Sequence, residues 1–227
     1  MEESQFMPKP MIPINGKPMI FYIMEHYMAY GHSDFVILGG TKIEYIIKYF
    51  ENNYKKVDTE KNIFLINNQT QVQILDTGEE TMTGGRVKRA IEELELNVFM
   101  LTYGDGFCDV NINLVIDRFN QTKSIGTVTA VRPPARFGSL DIAGEYVKNF
   151  GEKNQSKEGW INGGFFVFNS NIAKYIESDS MPLEKTPLET ISKLNQLSVY
   201  KHHGFFQPVD TIREKEILEK YLNEQHR

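Results

Sequence analysis

The run Val98-Phe-Met-Leu-Thr102 is apolar at four consecutive positions and opens directly onto Tyr103-Gly104-Asp105-Gly106. A strand with one face in water alternates apolar and polar side chains, so this run reads as a strand buried on both faces. Such strands belong to a mostly parallel sheet covered by helices on both sides. The rest of the chain repeats the pattern. Residues 18–30 open with Pro18, place Ile20, Ile23, Met24, Tyr27 and Met28 on one stripe, and end at Gly31, which predicts a helix. Asp34 to Leu38 reads as a strand and Ile43, Ile46, Ile47 and Phe50 as the next helix. Strands follow at Ile63 to Ile66 and Val72 to Leu75, then a helix from Gly85 to Glu95.

Beyond Asp105 the spacing predicts a helix over Ile112 to Asn120 and a strand over Gly126 to Val131. A turn-rich segment with a hairpin is expected over Pro133 to Asn154, and an apolar strand over Phe165 to Phe168. Helices near Ile172 to Glu177 and Leu188 to Asn195, a strand at Leu197 to Tyr200 and a helix from Ile212 to Asn223 complete the chain. Strand and helix alternate almost throughout 227 residues. The expectation is one α/β domain, residues 1–227, with a three-layer Rossmann-like architecture.

Composition narrows the function. A net charge of -5 gives no general attraction to phosphate backbones, and no basic block interleaved with aromatics tracks a nucleic acid. The single cysteine, Cys108, makes neither an intrachain disulfide nor a structural zinc site. The start of the chain lacks the charged and apolar regions of a signal peptide, and no stretch approaches the roughly 20 apolar residues of a membrane span. A cytoplasmic location is expected.

Ligands of open sheets bind beyond the carboxyl ends of the strands, which singles out four places. At Tyr103-Gly104-Asp105-Gly106 the flanking glycines let the chain turn sharply and leave a carboxylate unobstructed, as a hard cation requires; a plain turn aspartate reads equally well. In Gln207-Pro208-Val209-Asp210-Thr211, Asp210 reads first as the N-cap of the last helix, and as a metal ligand only if it meets a second carboxylate. The loop from Asp76-Thr77-Gly78 to Met82-Thr83-Gly84-Gly85-Arg86 offers amides and a helix N-terminus to a base or phosphate, or is a surface loop. Lys9, held extended between Pro8 and Pro10, could aim its ammonium at a phosphate, although surface lysines are the default.

Taken together, and in this order, the segments Pro8-Lys9-Pro10-Met11, Asn15-Gly16-Lys17-Pro18, Asp76-Thr77-Gly78, Met82-Thr83-Gly84-Gly85-Arg86, Thr102-Tyr103-Gly104-Asp105-Gly106, Arg136-Phe137-Gly138-Ser139-Leu140-Asp141-Ile142, Glu152-Lys153, Asn162-Gly163-Gly164 and Gln207-Pro208-Val209-Asp210-Thr211 resemble the sugar-phosphate nucleotidyltransferase superfamily, and within it the glucose 1-phosphate cytidylyltransferases. The resemblance implies a mixed-sheet fold and a reaction in which CTP and a sugar 1-phosphate give a CDP-sugar and pyrophosphate, for surface polysaccharide. It implies that Lys9, Arg86, Asp105 and Asp210 are the catalytic residues, that Lys9 contacts the triphosphate and that Asp105 and Asp210 hold Mg2+. Thr77, Gly78, Thr83, Gly84, Gly85 and Arg86, with Tyr103 and Gly104, would surround the nucleotide, while Gly138, Lys153, Asn162 and Gly163 would bind the acceptor. A homo-oligomer is implied by the resemblance alone. Members of the family begin with a strand and a turn Gly-Gly-x-Gly-Thr-Arg ahead of the segment matched by Pro8 to Met11. The expected fold therefore lacks that strand and its glycine-rich turn, and a noncatalytic nucleotide-sugar binding homologue is the alternative reading.

Overall fold

The computed structural model describes residues 7–133, 139–143, 146–151 and 159–225. A one-turn 3-10 helix, Lys9–Met11, leads into a ribbon of β1 (Pro13–Ile14) and β2 (Lys17–Pro18). Its two-residue turn, Asn15-Gly16, has positive φ at both positions, the conformation that matches strand twist in a tight hairpin. Helix α1 (Met19–Met28) follows and buries more than the expected stripe. Met19, Tyr22, Ile23 and Tyr27 enter one core, and Ile20, Phe21 and Met24 enter a second.

The first sheet contains β3 (Asp34–Gly39), β4 (Lys55–Asp58), β5 (Ile63–Ile66) and β6 (Thr70–Asp76), in the order β3-β6-β5-β4, with α2 (Ile43–Asn53) between β3 and β4. Helix α3 (Thr83–Glu93) leads to β7 (Val98–Thr102), and β8 (Gly106–Cys108) and α4 (Ile112–Thr122) lead to β9 (Gly126–Val131). The expected hairpin is β10 (Ser139–Ala143) with β11 (Tyr146–Gly151), paired antiparallel. Then come β12 (Ile161–Asn169), α5 (Thr186–Lys193), β13 (Leu197–Lys201), β14 (Phe206–Pro208) and α6 (Ile212–Gln225). The second sheet runs β13-β9-β12-β7, and β14 pairs with β8 in a separate two-stranded ribbon.

Strand β12 shows how the layers are built. Successive side chains of a strand point to opposite faces: Phe165 and Val167 enter the first core, and Phe166 and Phe168, stacked at 5.2 Å, enter a third beneath α3 and α5. Burial of each such phenylalanine contributes about 1.5–3 kcal/mol.

Three expectations change. The sheets are mixed, as the resemblance implies, rather than mostly parallel as the apolar runs alone suggest, since among the described residues only β3 with β6 and β13 with β9 run parallel. The segment expected as a helix at Ile172 to Glu177 is a 3-10 helix, Ser170–Tyr175, started by the Asn169 side chain accepting from Asn171 N. Strand β7 is not fully buried: among the described residues it is an edge strand, antiparallel to β12, with Val98 59% exposed. Its apolar character comes from the layers above and below it. Phe99 and Leu101 face the third core and Met100 the first, and β3 sends Leu38 and Phe35 into the same two cores. Strands β3 and β7 thus lie between the same covering layers without sharing a ladder, and among the described residues no strand joins them.

Candidate active site

Asp105 and Asp210 flank one ribbon. Strands β8 and β14 pair with Gly106 opposite Pro208, and Val209 N donates to Asp105 O at 2.9 Å. The residue preceding one strand is thereby held beside the residues following the other. Lys9 closes the arrangement: its Nζ donates to Asp210 Oδ1 at 2.7 Å and lies 3.8 Å from Asp105 Oδ2, all three side chains being about half exposed. Hydrogen bonding to Asp210 holds the Lys9 ammonium above its ordinary pKa. Desolvation in the cleft raises the Asp105 carboxyl in spite of Lys9, and the charge of Asp210 raises it further.

Glycine at position 104 makes this approach possible. A Cβ there would stand 2.5 Å from Cγ of Pro10, so the turn carrying Lys9 is seated directly on the Gly104 backbone. The N-cap expected of Asp210 belongs to its neighbour. Glu214 N donates to Thr211 Oγ1 at 3.2 Å and Thr211 N donates to Glu214 Oε2 at 3.0 Å, a reciprocal capping box. The Asp210 carboxylate is left to face Lys9.

The loop before α3 is organised by Arg86. Its Nη1 donates to Gly39 O and to Thr77 Oγ1, both at 2.6 Å, and Thr77 Oγ1 donates to Gly39 O at 2.6 Å. Guanidinium and hydroxyl therefore fasten the loop to the carboxyl end of β3, with Thr77 fully buried. Gly78 turns the chain with φ +86. Gly84 and Gly85 serve close packing: added Cβ atoms would meet Met181 O at 2.5 Å and Asp179 Cα at 2.6 Å. Met82 N and Gly84 N already donate to Asp179 O and Met181 O. Thr83 is exposed, donates to Glu184 Oε2 at 2.7 Å and accepts from Leu183 N.

A cleft of about 250 Å3 opens beside the carboxylates, lined by Tyr103, Asp105, Asn162, Gly163 and Gly164 among others. Asn162 Oδ1 accepts from Gly164 N, and a Cβ at Gly163 would stand 2.7 Å from Val131 Cγ1. The Tyr103 hydroxyl is buried, and burial followed by the nearby Glu184 carboxylate holds its pKa above the ordinary value. A second hollow of about 360 Å3 lies across Ile161 and Asn162 and is bounded by Trp160 and Glu184. Trp160 stacks beneath the Arg132 guanidinium at 4.2 Å. Gly138 and Lys153 lie outside the described residues.

Sequence reasoning passed over Glu184, which meets Thr83 from 101 residues away, and segment 179–183, which covers the start of α3. No local motif marks either. It also passed over Asp109, His202 and Tyr221. Among the described residues, Cys108, Asp109 and His202 are the group whose ligand atoms converge within 4.8 Å. His202 Nε2 and Asp109 Oδ1 already hydrogen-bond at 2.7 Å, and burial pushes the Cys108 thiol up to about 12. These are the properties of a closed hydrogen-bonded cluster, not of an open ion cage.

The sequence profile of the family described as "Nucleotidyl transferase" matches residues 4–210. The chain is 38% identical to glucose-1-phosphate cytidylyltransferase of Salmonella typhimurium over 229 residues, 96% of this chain and 89% of that protein. It is 34% identical to a probable glucose-1-phosphate cytidylyltransferase of Bacillus subtilis, covering 98% of this chain and 91% of that one. Among solved structures, HddC from Yersinia pseudotuberculosis superposes with a TM-score of 0.68 at 23% identity, over 95% of this chain and 90% of that one. An apo UDP-glucose pyrophosphorylase also superposes with a TM-score of 0.68, at 14% identity over 100% and 94%. The fold is thus shared with HddC and with a UDP-glucose pyrophosphorylase, while the sequence is nearer to the two cytidylyltransferases. The chain belongs to the nucleotidyl transferase family, as an enzyme similar to the glucose-1-phosphate cytidylyltransferases.

Proposed function

We propose that this enzyme transfers CMP from CTP to a sugar 1-phosphate, with glucose 1-phosphate as the default acceptor, releasing pyrophosphate in Mg2+-dependent fashion. The observation that carries the reading is the convergence of Asp105 and Asp210 on one cation, the Lys9 ammonium, at the mouth of the cleft. Two half-exposed carboxylates brought to one point fit a hard divalent cation, which takes one or two carboxylates together with substrate phosphates and water. Such an ion would supply charge neutralisation at the phosphates.

The residues of the chain do the remainder by position and charge. An oxygen of the acceptor phosphate attacks the α-phosphorus in line, the bond to the β-phosphate oxygen breaks, and pyrophosphate leaves with its electron pair. Lys9 stabilises the negative charge, and fixed walls supply orientation. Arg86 and Thr77 act by holding the loop against β3, with Gly78, Thr83, Gly84, Gly85, Tyr103 and Gly104 shaping the nucleotide side. Asn162 and Gly163, with Gly138 and Lys153, are assigned to the acceptor. CTP is favoured over other triphosphates by the 38% and 34% identities to proteins named as cytidylyltransferases. A role in CDP-linked precursors of surface polysaccharide, a homo-oligomeric state and a cytoplasmic location complete the proposal. Among the described residues no helix is long and apolar enough to cross a membrane.

The test is pyrophosphate release from each of the four nucleoside triphosphates with a panel of sugar 1-phosphates, for the wild type, Asp105→Asn and Asp210→Asn. Release with CTP and its loss in both variants are expected. Full activity in Asp105→Asn refutes the metal role, preference for another triphosphate refutes the base assignment, and binding of a CDP-sugar without turnover supports the noncatalytic alternative.

A further inference from the structure

We propose that Tyr221, Asp109 and His202 are positioning residues that fix the register of the β8/β14 ribbon and thereby set Asp105 against Asp210. The inference rests on the reading of those two carboxylates as a metal pair.

The ribbon alone is a weak scaffold. Each strand has three residues, and Pro208 has no N–H to give the ladder. A slip of one residue would carry Asp210 about 3.3 Å along the strand and turn its side chain to the other face. Magnesium ligands stand at roughly 2.0–2.1 Å in near-ideal octahedral geometry, so such a slip would abolish shared coordination.

What holds the register lies at the far end. Asp109, the residue after β8, donates its N–H to Phe205 O at 3.2 Å, just before β14. One carboxylate oxygen meets His202 Nε2 at 2.7 Å and the other accepts from Tyr221 Oη at 2.8 Å. His202 is itself fixed to the second sheet by its N–H to Ala130 O at 2.8 Å. Tyr221 stands on α6, the helix that begins directly after Asp210 and Thr211, and its ring stacks on Phe205 at 3.7 Å. The chain therefore makes a closed circuit from Asp105 through β8 to Asp109, across to Tyr221, and back along α6 to Asp210. Gly204 leaves room for the central contact, since a Cβ there would lie 2.5 Å from Asp109 Oδ1 and 2.6 Å from His202 Cε1.

The test is Mn2+ titration of the intact protein in the presence of CTP, read by electron paramagnetic resonance, with the melting temperature measured alongside. Asp109→Asn is expected to weaken Mn2+ binding about tenfold or more, the scale on which groups supporting metal ligands act. Tyr221→Phe keeps the ring on Phe205, removes only the hydroxyl and is expected to give a smaller loss in the same direction. Ile191→Ala, in the remote packing of α5, is expected to lower the melting temperature and leave Mn2+ affinity as in the wild type. Unchanged affinity in both Asp109→Asn and Tyr221→Phe overturns the positioning role, as does an equal loss in Ile191→Ala. If wild-type protein binds no Mn2+, or Asp105→Asn binds it unchanged, the metal pair itself is refuted and the inference falls with it.

Discussion

Lys9 and Asp210 stand 201 residues apart in sequence, yet Lys9 Nζ donates to Asp210 Oδ1 at 2.7 Å. The free protein thus carries an internal cation at the point where two carboxylates meet. Removing that cation has opposite effects on metal and on catalysis. Lys9→Met is expected to bind Mn2+ more tightly than the wild type when no nucleotide is present, because the ion no longer competes with the ammonium. Turnover is expected to fall by about a hundred- to a thousandfold, as when one charge-stabilising donor is lost. Metal titration of the free protein and steady-state pyrophosphate release read the two effects separately.

Gly104→Ala probes the seat of the Lys9 turn. The added methyl meets Pro10 at 2.5 Å, and overpacking of this kind costs about 1–3 kcal/mol. Because the pressure falls on the residue next to Lys9, the activity loss should exceed what the drop in urea midpoint accounts for. Activity retained in full alongside a lowered midpoint would confine Gly104 to packing.

Arg86→Lys keeps the charge and loses the fork. Arg86 Nη1 reaches both Gly39 O and Thr77 Oγ1 while Nη2 reaches Glu79 O at 3.3 Å, a spread over two nitrogens that a single ammonium cannot reproduce. A stability loss of about 1–3 kcal/mol is expected from the partly unpaired loop groups. Denaturant unfolding measures it. A variant of wild-type stability would show that the Thr77 loop is held by other contacts.

Asp109 predicts an acid sensitivity. Burial alone would raise its carboxyl, but hydrogen bonds from His202 and Tyr221 outweigh that and hold it below the ordinary aspartate range. A depressed folded-state value contributes stability above the unfolded value of about 3.9 and loses it as the pH falls towards the folded one. The urea midpoint of the wild type should therefore drop more steeply than that of Asp109→Asn on acidification through that range. Parallel profiles would deny Asp109 this contribution.

The sequence made the candidate carboxylates, Asp105 and Asp210, legible because each stands in a local pattern, Gly104-Asp105-Gly106 after an apolar run and Pro208-Val209-Asp210 before a helix. Most helices and strands were legible for the same reason of short-range periodicity. What stayed hidden depends on distance along the chain. Thr211 takes the cap because Glu214 reciprocates, a competition with Asp210 that three-dimensional geometry decides. The close packing of Gly84 and Gly85 against segment 179–183 joins residues about a hundred positions apart, which no local pattern announces. The short strands β8 and β14 carry too few residues to show a period, and their pairing gives the two aspartates a common centre. Val98 to Thr102 misled in the other direction, since covering layers above and below make an edge strand as apolar as a central one.

The two unshared edges, β3 and β7, bear on how the molecule comes apart. Main-chain ladders convey cooperativity between strands, and among the described residues they stop on either side of one line. Across it the halves are joined by side chains: Tyr27 of α1 hydrogen-bonds Thr102 and packs on Phe35, and Arg86 of α3 grips Gly39. Native-state amide exchange should accordingly divide the protein into two protection classes, one for β3 to β6 and one for β7, β9, β12 and β13, with distinct opening free energies. The carboxylate pair stands on the separate β8/β14 ribbon, whose Phe107 and Val209 share a core with Phe165 and Val167 of β12, so local opening of the first unit can expose the Thr77 loop while Asp105 and Asp210 stay in register.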